Sequence, residues 1–208
     1  MNGMDTETRI AECGGIVAAP TEASPPPIRL ESPSEIYRES FFAAMAEFAS
    51  EGAPQVSPDL TREGFPAYVQ RLHDHAAGRN LPEGYIPSKE FWIVDEEGYA
   101  GRIILGLAYY PSPERVGNHV GYIVRPSKRR RGYATEALRS LLAEARRLEI
   151  PRLMLVCDED NVASRKVIEK NGGTFLGRLP NDEVHHGALR FLIDLTPTSR
   201  SARTETTA

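Results

Sequence analysis

Four consecutive cations, Lys128 to Arg131, run into Gly132 and a helix-like stretch in the string VRPSKRRRGYATEALRSLLAEARRL. A strand, a basic turn, a glycine and a helix start make a seat for a polyanion. The first backbone N–H groups of a helix lack internal partners and sit at the positive end of its dipole, so a phosphate placed there gains several hydrogen bonds. Gly132 removes a side chain where contact would be closest, Ala134 keeps the next turn small, and Thr135 offers a hydroxyl. Arg129, Arg130 and Arg131 add the charge that neutralises a pyrophosphate. The same cations alone would suit a nucleic-acid or localisation patch. Against that, the chain carries a formal net charge of −4, and no second basic, aromatic-interleaved segment extends the footprint. Neither a Walker loop nor a G-x-G-x-x-G fingerprint is present.

Other chemistry-bearing residues are sparser. The two cysteines, Cys13 and Cys157, form neither a disulfide framework nor a zinc spacing. His73 and His75 lie two apart on a predicted helix, so they diverge around it and read as solvated. His185 and His186 lack a third ligand, and no metal is expected. Asp158 and Asp160 read as solvated caps at a strand end.

The elements that must position the basic turn follow from periodicity. The 208 residues fit one domain, predicted over 28–196, between tails 1–27 and 197–208 whose proline and small polar residues cannot offset ordering entropy. Asp5, Glu7 and Glu12 interrupt the apolar start, which predicts no export leader, and no apolar run reaches membrane-spanning length. A soluble, cytoplasmic protein is expected.

Ser32 as N-cap, Pro33 at the first helical position and Glu35 completing a capping box open a first helix, with Tyr37, Phe41, Ala44, Met45 and Phe48 as its buried stripe and Gly52 as its stop. A second helix carries Phe65, Tyr68, Val69 and Leu72. Three strands follow, FWIVD, RIILGLAYY and HVGYIV, the first two joined by a turn at Gly98. Ala134, Ala137, Leu138, Leu141, Leu142, Ala145 and Leu148 mark a long helix. RLMLVC is a buried strand, parallel to HVGYIV if that helix is a crossover. A short helix from Asn161 and two closing antiparallel strands complete an α+β order.

Arg129-x-x-Gly132-x-Ala134, following a strand and opening a helix, resembles the R/Q-x-x-G-x-G/A acetyl-CoA signature of the GNAT N-acetyltransferase superfamily. The string GYIVRPSKRRRGYATEAL, followed after one strand by DEDNVASRKVIEKNGG, resembles both halves of that family's cofactor region. The leading NLPEGYIPSKEFWIVD is similar to a bacterial branch of predicted acetyltransferases. The resemblance implies a central mixed, mostly antiparallel sheet with a splayed parallel strand pair and helices on both faces. Acetyl-CoA is then the co-substrate. Backbone contacts to pantetheine fall on Ile123 and Val124, pyrophosphate contacts on Arg129 to Thr135 including Tyr133, and polar contacts from the next helix on Asn161 and Ser164.

For catalysis the resemblance implies direct transfer to a primary amine of a small molecule or peptide. A backbone N–H near Val124 would be the oxyanion donor, and His119, Glu114 or a water relay the base. Many relatives carry a tyrosine seven residues after the helix asparagine to protonate the thiolate; here that position is Ile168. Tyr122, Ser164 or water would replace it, or the thiolate leaves unassisted. A GNAT-fold module that binds acyl-CoA without turnover, and a nucleic-acid binder through Lys128 to Arg131, are the alternatives. The implied partner is an amine acceptor, with no nucleic acid or membrane, on a monomer or homodimer. Glu83, Tyr85, Asp182, Glu183, His185 and His186 are loop residues that could favour a cationic acceptor.

Overall fold

Two helices and four strands lead to the basic turn, and two helices and three strands follow it. The computed structural model describes residues 27–56, 60–108, 119–179 and 187–196. Their order is β1 (Arg29–Glu31), α1 (Arg38–Ser50), α2 (Phe65–Ala76), β2 (Ser88–Asp95), β3 (Gly98–Gly106), β4 (Val120–Val124), α3 (Tyr133–Arg147), β5 (Arg152–Cys157), α4 (Val162–Lys170), β6 (Thr174–Arg178) and β7 (Leu189–Asp194).

The first helix starts later than Ser32 and Pro33 predict. β1 runs to Glu31, whose carboxylate accepts from the Tyr37 hydroxyl at 2.5 Å, and this holds the chain extended through Ser34. Ser34 therefore takes the cap, accepting from the Ile36 N–H at 3.5 Å ahead of a single 3₁₀ turn, Glu35–Tyr37. Phe41, Ala44, Met45 and Phe48 are buried as a stripe. Phe65, Tyr68 and Val69 of α2 join them around Trp92, with Phe41 stacked on the indole at 5.3 Å between ring centres. His73 is not simply solvated, since its Nε2 pairs with the Pro33 carbonyl at 2.9 Å and fastens α2 to the entry of α1.

Alternation along β2 feeds two cores. Trp92 and Val94 face α1 and α2, while Phe91 and Ile93 face α3, which buries Ala137, Leu138, Leu141, Leu142 and Ala145. Leu148 falls outside that stripe; it is the exposed C-cap of α3.

In place of one mixed sheet there are two antiparallel ones, β1-β2-β3-β4 and β5-β7-β6. They meet where β4 starts: the His119 N–H donates to the Met154 carbonyl at 3.0 Å, and the Met154 N–H donates to His119 Nδ1 at 3.1 Å. Beyond that point no ladder joins β4 to β5. The end of β4 stays with the first sheet, because the Arg125 N–H donates to the Ala100 carbonyl and the Arg125 guanidinium pairs with Glu47 of α1 at 2.7 Å. The expected splay is this gap between sheets. Among the described residues no helix is long and apolar enough to cross a membrane.

Candidate active site

The four cations of the turn have separate fates. Lys128 is 4% exposed, and its Nζ pairs with Asp95, the last residue of β2, at 2.9 Å and with Glu97 of the β2–β3 turn at 2.8 Å. The Tyr133 hydroxyl donates to the same Asp95 carboxylate at 2.7 Å, so the hairpin braces both the turn and the first residue of α3. Arg129 pairs with Glu51 at 2.8 Å and donates to the Val124 carbonyl at 3.2 Å. Lys128 and Arg129 are thus largely neutralised within the fold, which halves the basic patch that nucleic acid would read. Arg130 and Arg131 are exposed, and the Arg131 guanidinium lies over the Tyr133 ring at 5.6 Å.

Gly132 has φ +85°, a left-handed conformation that costs an L-residue strain, so glycine is the residue that lets the turn deliver α3 amides outward. Those amides open onto a cavity of about 560 Å³. Its walls include Tyr122, Ile123 and Val124 of β4, Arg129, Arg130 and Gly132 to Thr135 of the turn and α3, and Asn161 and Ser164 at α4. Of the predicted cofactor residues, only Arg131 does not line it. Lys166 and Lys170 line it as well; spaced four apart, they share one face of α4. Ala163, Lys166, Val167 and Lys170 recur at helical spacing, and that stripe is the signal that could have found them.

Backbone polarity at β4 is fixed by a close approach. Gly101 has φ +155°, and a Cβ there would lie 2.3 Å from the Ile123 carbonyl oxygen, so that carbonyl faces β3. The same peptide turns the Val124 N–H to the open edge. Ile123 borders the cavity, but its side chain packs toward the α1–α2 core and its carbonyl is committed to the sheet, which leaves the Val124 N–H as the open backbone group of the expected pair.

Tyr122 and Ser164 come together in the cavity wall, with 2.7 Å between the Tyr122 hydroxyl and Ser164 Oγ. Asn161 Oδ1 accepts from the Ser164 N–H at 3.0 Å, which sets the serine on the first turn of α4. Burial pushes the Tyr122 phenol up to about 12 even though Ser164 pulls the other way, so it keeps its proton at neutral pH. Ile168 is 1% exposed and belongs to the core. His119 does not join the cavity wall. It is 3% exposed, its Nδ1 accepts from Met154, and burial lowers its affinity for protons. It fastens the two sheets together at the splay. Glu114, Asp182, Glu183, His185 and His186 lie outside the described residues.

The Asp95 brace is open to test. Burial raises the Asp95 pKa, but the bonds from Tyr133, Lys128 and the Glu97 N–H outweigh that and hold it below the ordinary carboxylate range. Its ionised form then stabilises the fold at neutral pH, and the contribution is lost as pH falls below about 4 and through the folded value. Asp95→Ala is expected to cost on the order of 3 kcal/mol in urea unfolding at pH 7, with a smaller difference from wild type at pH 3.

The fold and cavity have counterparts. Residues 35–174 match the family model described as an acetyltransferase (GNAT) domain. An uncharacterized N-acetyltransferase, YjdG of Bacillus subtilis, is 33% identical over 82 residues, covering 38% of this chain and 48% of that protein, so the match spans about half its length. The ribosomal L7/L12 alpha-N-protein acetyltransferase RimL in complex with coenzyme A aligns with a TM-score of 0.60 at 20% identity, over 80% of this chain and 93% of that one. The microcin C7 self-immunity acetyltransferase MccE in complex with acetyl-CoA and AMP aligns with a TM-score of 0.61 at 16% identity, over 80% and 92%.

Proposed function

Because the chain belongs to the GNAT acetyltransferase family, we propose that it transfers an acetyl group from acetyl-CoA to a primary amine, directly, in a ternary complex. The observation that carries the reading is the cavity joining the α3 N-terminus, the open edge of β4 and the Tyr122–Ser164 pair. Its residues fit coenzyme A. The N–H groups of Tyr133, Ala134 and Thr135 with Arg130 would receive the pyrophosphate, Lys166 and Lys170 a further phosphate, and the β4 edge the pantetheine. RimL and MccE, which share the fold, hold coenzyme A and acetyl-CoA. RimL is a protein α-N-acetyltransferase, which makes a peptide amine one acceptor class to test here.

When bound, acetyl-CoA supplies an activated thioester. The chain's residues do the rest. The Val124 N–H points to where a carbonyl oxygen gaining charge would lie, and such a donor strengthens as charge develops. The Tyr122 hydroxyl, protonated and polarised by Ser164, is the proton source for the departing sulfur, and the proton shed by the amine returns through water to the Tyr122 oxygen. Cavity walls on three elements hold the reactants together. Residues 28–196 act as one catalytic unit in this reading.

A ligand that binds only the folded state raises stability by RT ln(1 + [L]/Kd), about 2.7 kcal/mol at a hundredfold excess over Kd. Acetyl-CoA at millimolar concentration is expected to raise the melting temperature by several degrees, and the Lys166→Ala/Lys170→Ala double variant to need roughly tenfold more for the same shift. No shift with wild type would remove the cofactor. The activity itself is tested by mass spectrometry of an amine library, including peptides with free N-termini, after incubation with labelled acetyl-CoA. Binding without labelled product or free thiol would leave an acyl-CoA-binding module instead.

A further inference from the structure

The cofactor cavity lies on the α3 and α4 side of β4, so an acceptor must reach the splay from the opposite face, the one covered by α1 and α2. On that face the strand registers place Glu90, Ile104 and Gly121 in one row across β2, β3 and β4. Paired residues in antiparallel strands point to the same side, and Trp92, Arg102 and Ile123 form the next row. Ile123 already lines the cavity. Among the described residues a Cβ built on Gly121 would have nothing within 4 Å, and Ile104 and Gly121 are only half-buried. The row is an open lane on the sheet floor beside the cofactor cavity.

At its far end sits a carboxylate that no step above uses. Glu90 is 8% exposed, and its one side-chain hydrogen bond among the described residues runs from the Trp92 Nε1–H to Oε1 at 3.0 Å. Oε2 has no hydrogen-bond partner among the described residues. Burial makes the Glu90 carboxyl harder to ionise, while Arg102, the Trp92 N–H and His75 favour the charge. Arg102 makes no ion pair with it within 4.0 Å among the described residues; the guanidinium donates instead to the Gln55 carbonyl at 3.5 Å. A half-satisfied carboxylate at the edge of a low-dielectric lane attracts a cation that can donate to it.

Resting on the transferase reading above, we propose that Glu90 is the acceptor-specificity residue, its Oε2 holding an ammonium group of a cationic primary amine that lies along the Glu90–Ile104–Gly121 lane. Two strand spacings, about 10 Å, separate the Cα atoms at the ends of the row. The glutamate side chain covers part of that span, which leaves room for a short chain between the gripped ammonium and a second nitrogen at the splay. The acceptor class is therefore a diamine, or a peptide whose basic side chain lies near its amino terminus.

The chain's single tryptophan provides a readout independent of turnover, because its indole N–H touches Glu90. Full-length protein is titrated with n-butylammonium chloride, with n-butanol as the neutral control, while the indole N–H and Gly121 amide resonances are followed. Saturable shifts of both with butylammonium and not with butanol are expected, at least tenfold weaker in Glu90→Gln and lost in Gly121→Leu. Acetyl-CoA affinity, unchanged in both variants, serves as the folding control; if Glu90→Gln fails that control, Gly121→Leu decides. Resonances unmoved by butylammonium, or equal affinity in the variants that pass the control, overturn the assignment. A protein that binds acetyl-CoA but ignores butylammonium keeps the transferase reading and loses Glu90. One that answers to butylammonium and not to acetyl-CoA does the reverse.

Discussion

Gly132→Asp is expected to weaken acetyl-CoA binding about 1,000-fold, roughly 4 kcal/mol, in isothermal titration at neutral pH. The residue stands at φ +85° where the turn hands over to α3, and it borders the cavity. An aspartate there sets a fixed negative charge against the proposed pyrophosphate seat, and it satisfies the α3 amides itself, as an N-cap does. Gly132→Asn separates the causes. Asparagine tolerates left-handed backbone and has nearly the same shape, so it reports crowding and self-capping without the charge. A loss near tenfold for Asn and near 1,000-fold for Asp is the expected pattern. Equal affinity in wild type and Gly132→Asp would move the phosphate away from this helix.

Tyr122→Phe is expected to reduce kcat by about 100-fold or more while leaving the acetyl-CoA Kd within about threefold. The hydroxyl contacts Ser164 at 2.7 Å, and with a pKa near 12 it is a donor throughout the physiological range. Removing one oxygen leaves the ring packed in the first sheet, so stability should barely change. Ser164→Ala should lower kcat less, since the phenol keeps its proton but loses the partner that orients it. An unchanged kcat in Tyr122→Phe would mean that the thiolate leaves without this proton.

The strand–turn–helix junction from Arg129 to Thr135 was legible because its parts are local: strand end, left-handed glycine and helix start are adjacent in the chain. Asn161 was legible for the same reason, as a cap whose partner, the Ser164 N–H, lies three residues away. Lys128 was not. Its neighbours in sequence are cations, and the carboxylates that bury it, Asp95 and Glu97, come from a hairpin more than thirty residues earlier. His119 stands before a central strand, where a base is expected, and the Met154 contact that ties it to the second sheet depends on tertiary pairing that no local pattern shows. β1 has three residues, too few for any periodicity to register. Glu90 was hidden in an apolar strand, where only the cross-strand register reveals a row ending at Gly121.

The carboxylates of Glu47 and Glu51, near the end of α1, grip Arg125, Ser127 and Arg129. Helix α1, which covers one face of the first sheet, and the basic loop that leads into α3 are thereby one mechanical part. Transplanting a different first helix from a relative to redirect substrate choice would therefore disturb the nucleotide seat too, unless the graft keeps both acids in phase, one turn apart. Chimaeras should be cut after Gly52, not inside the helix.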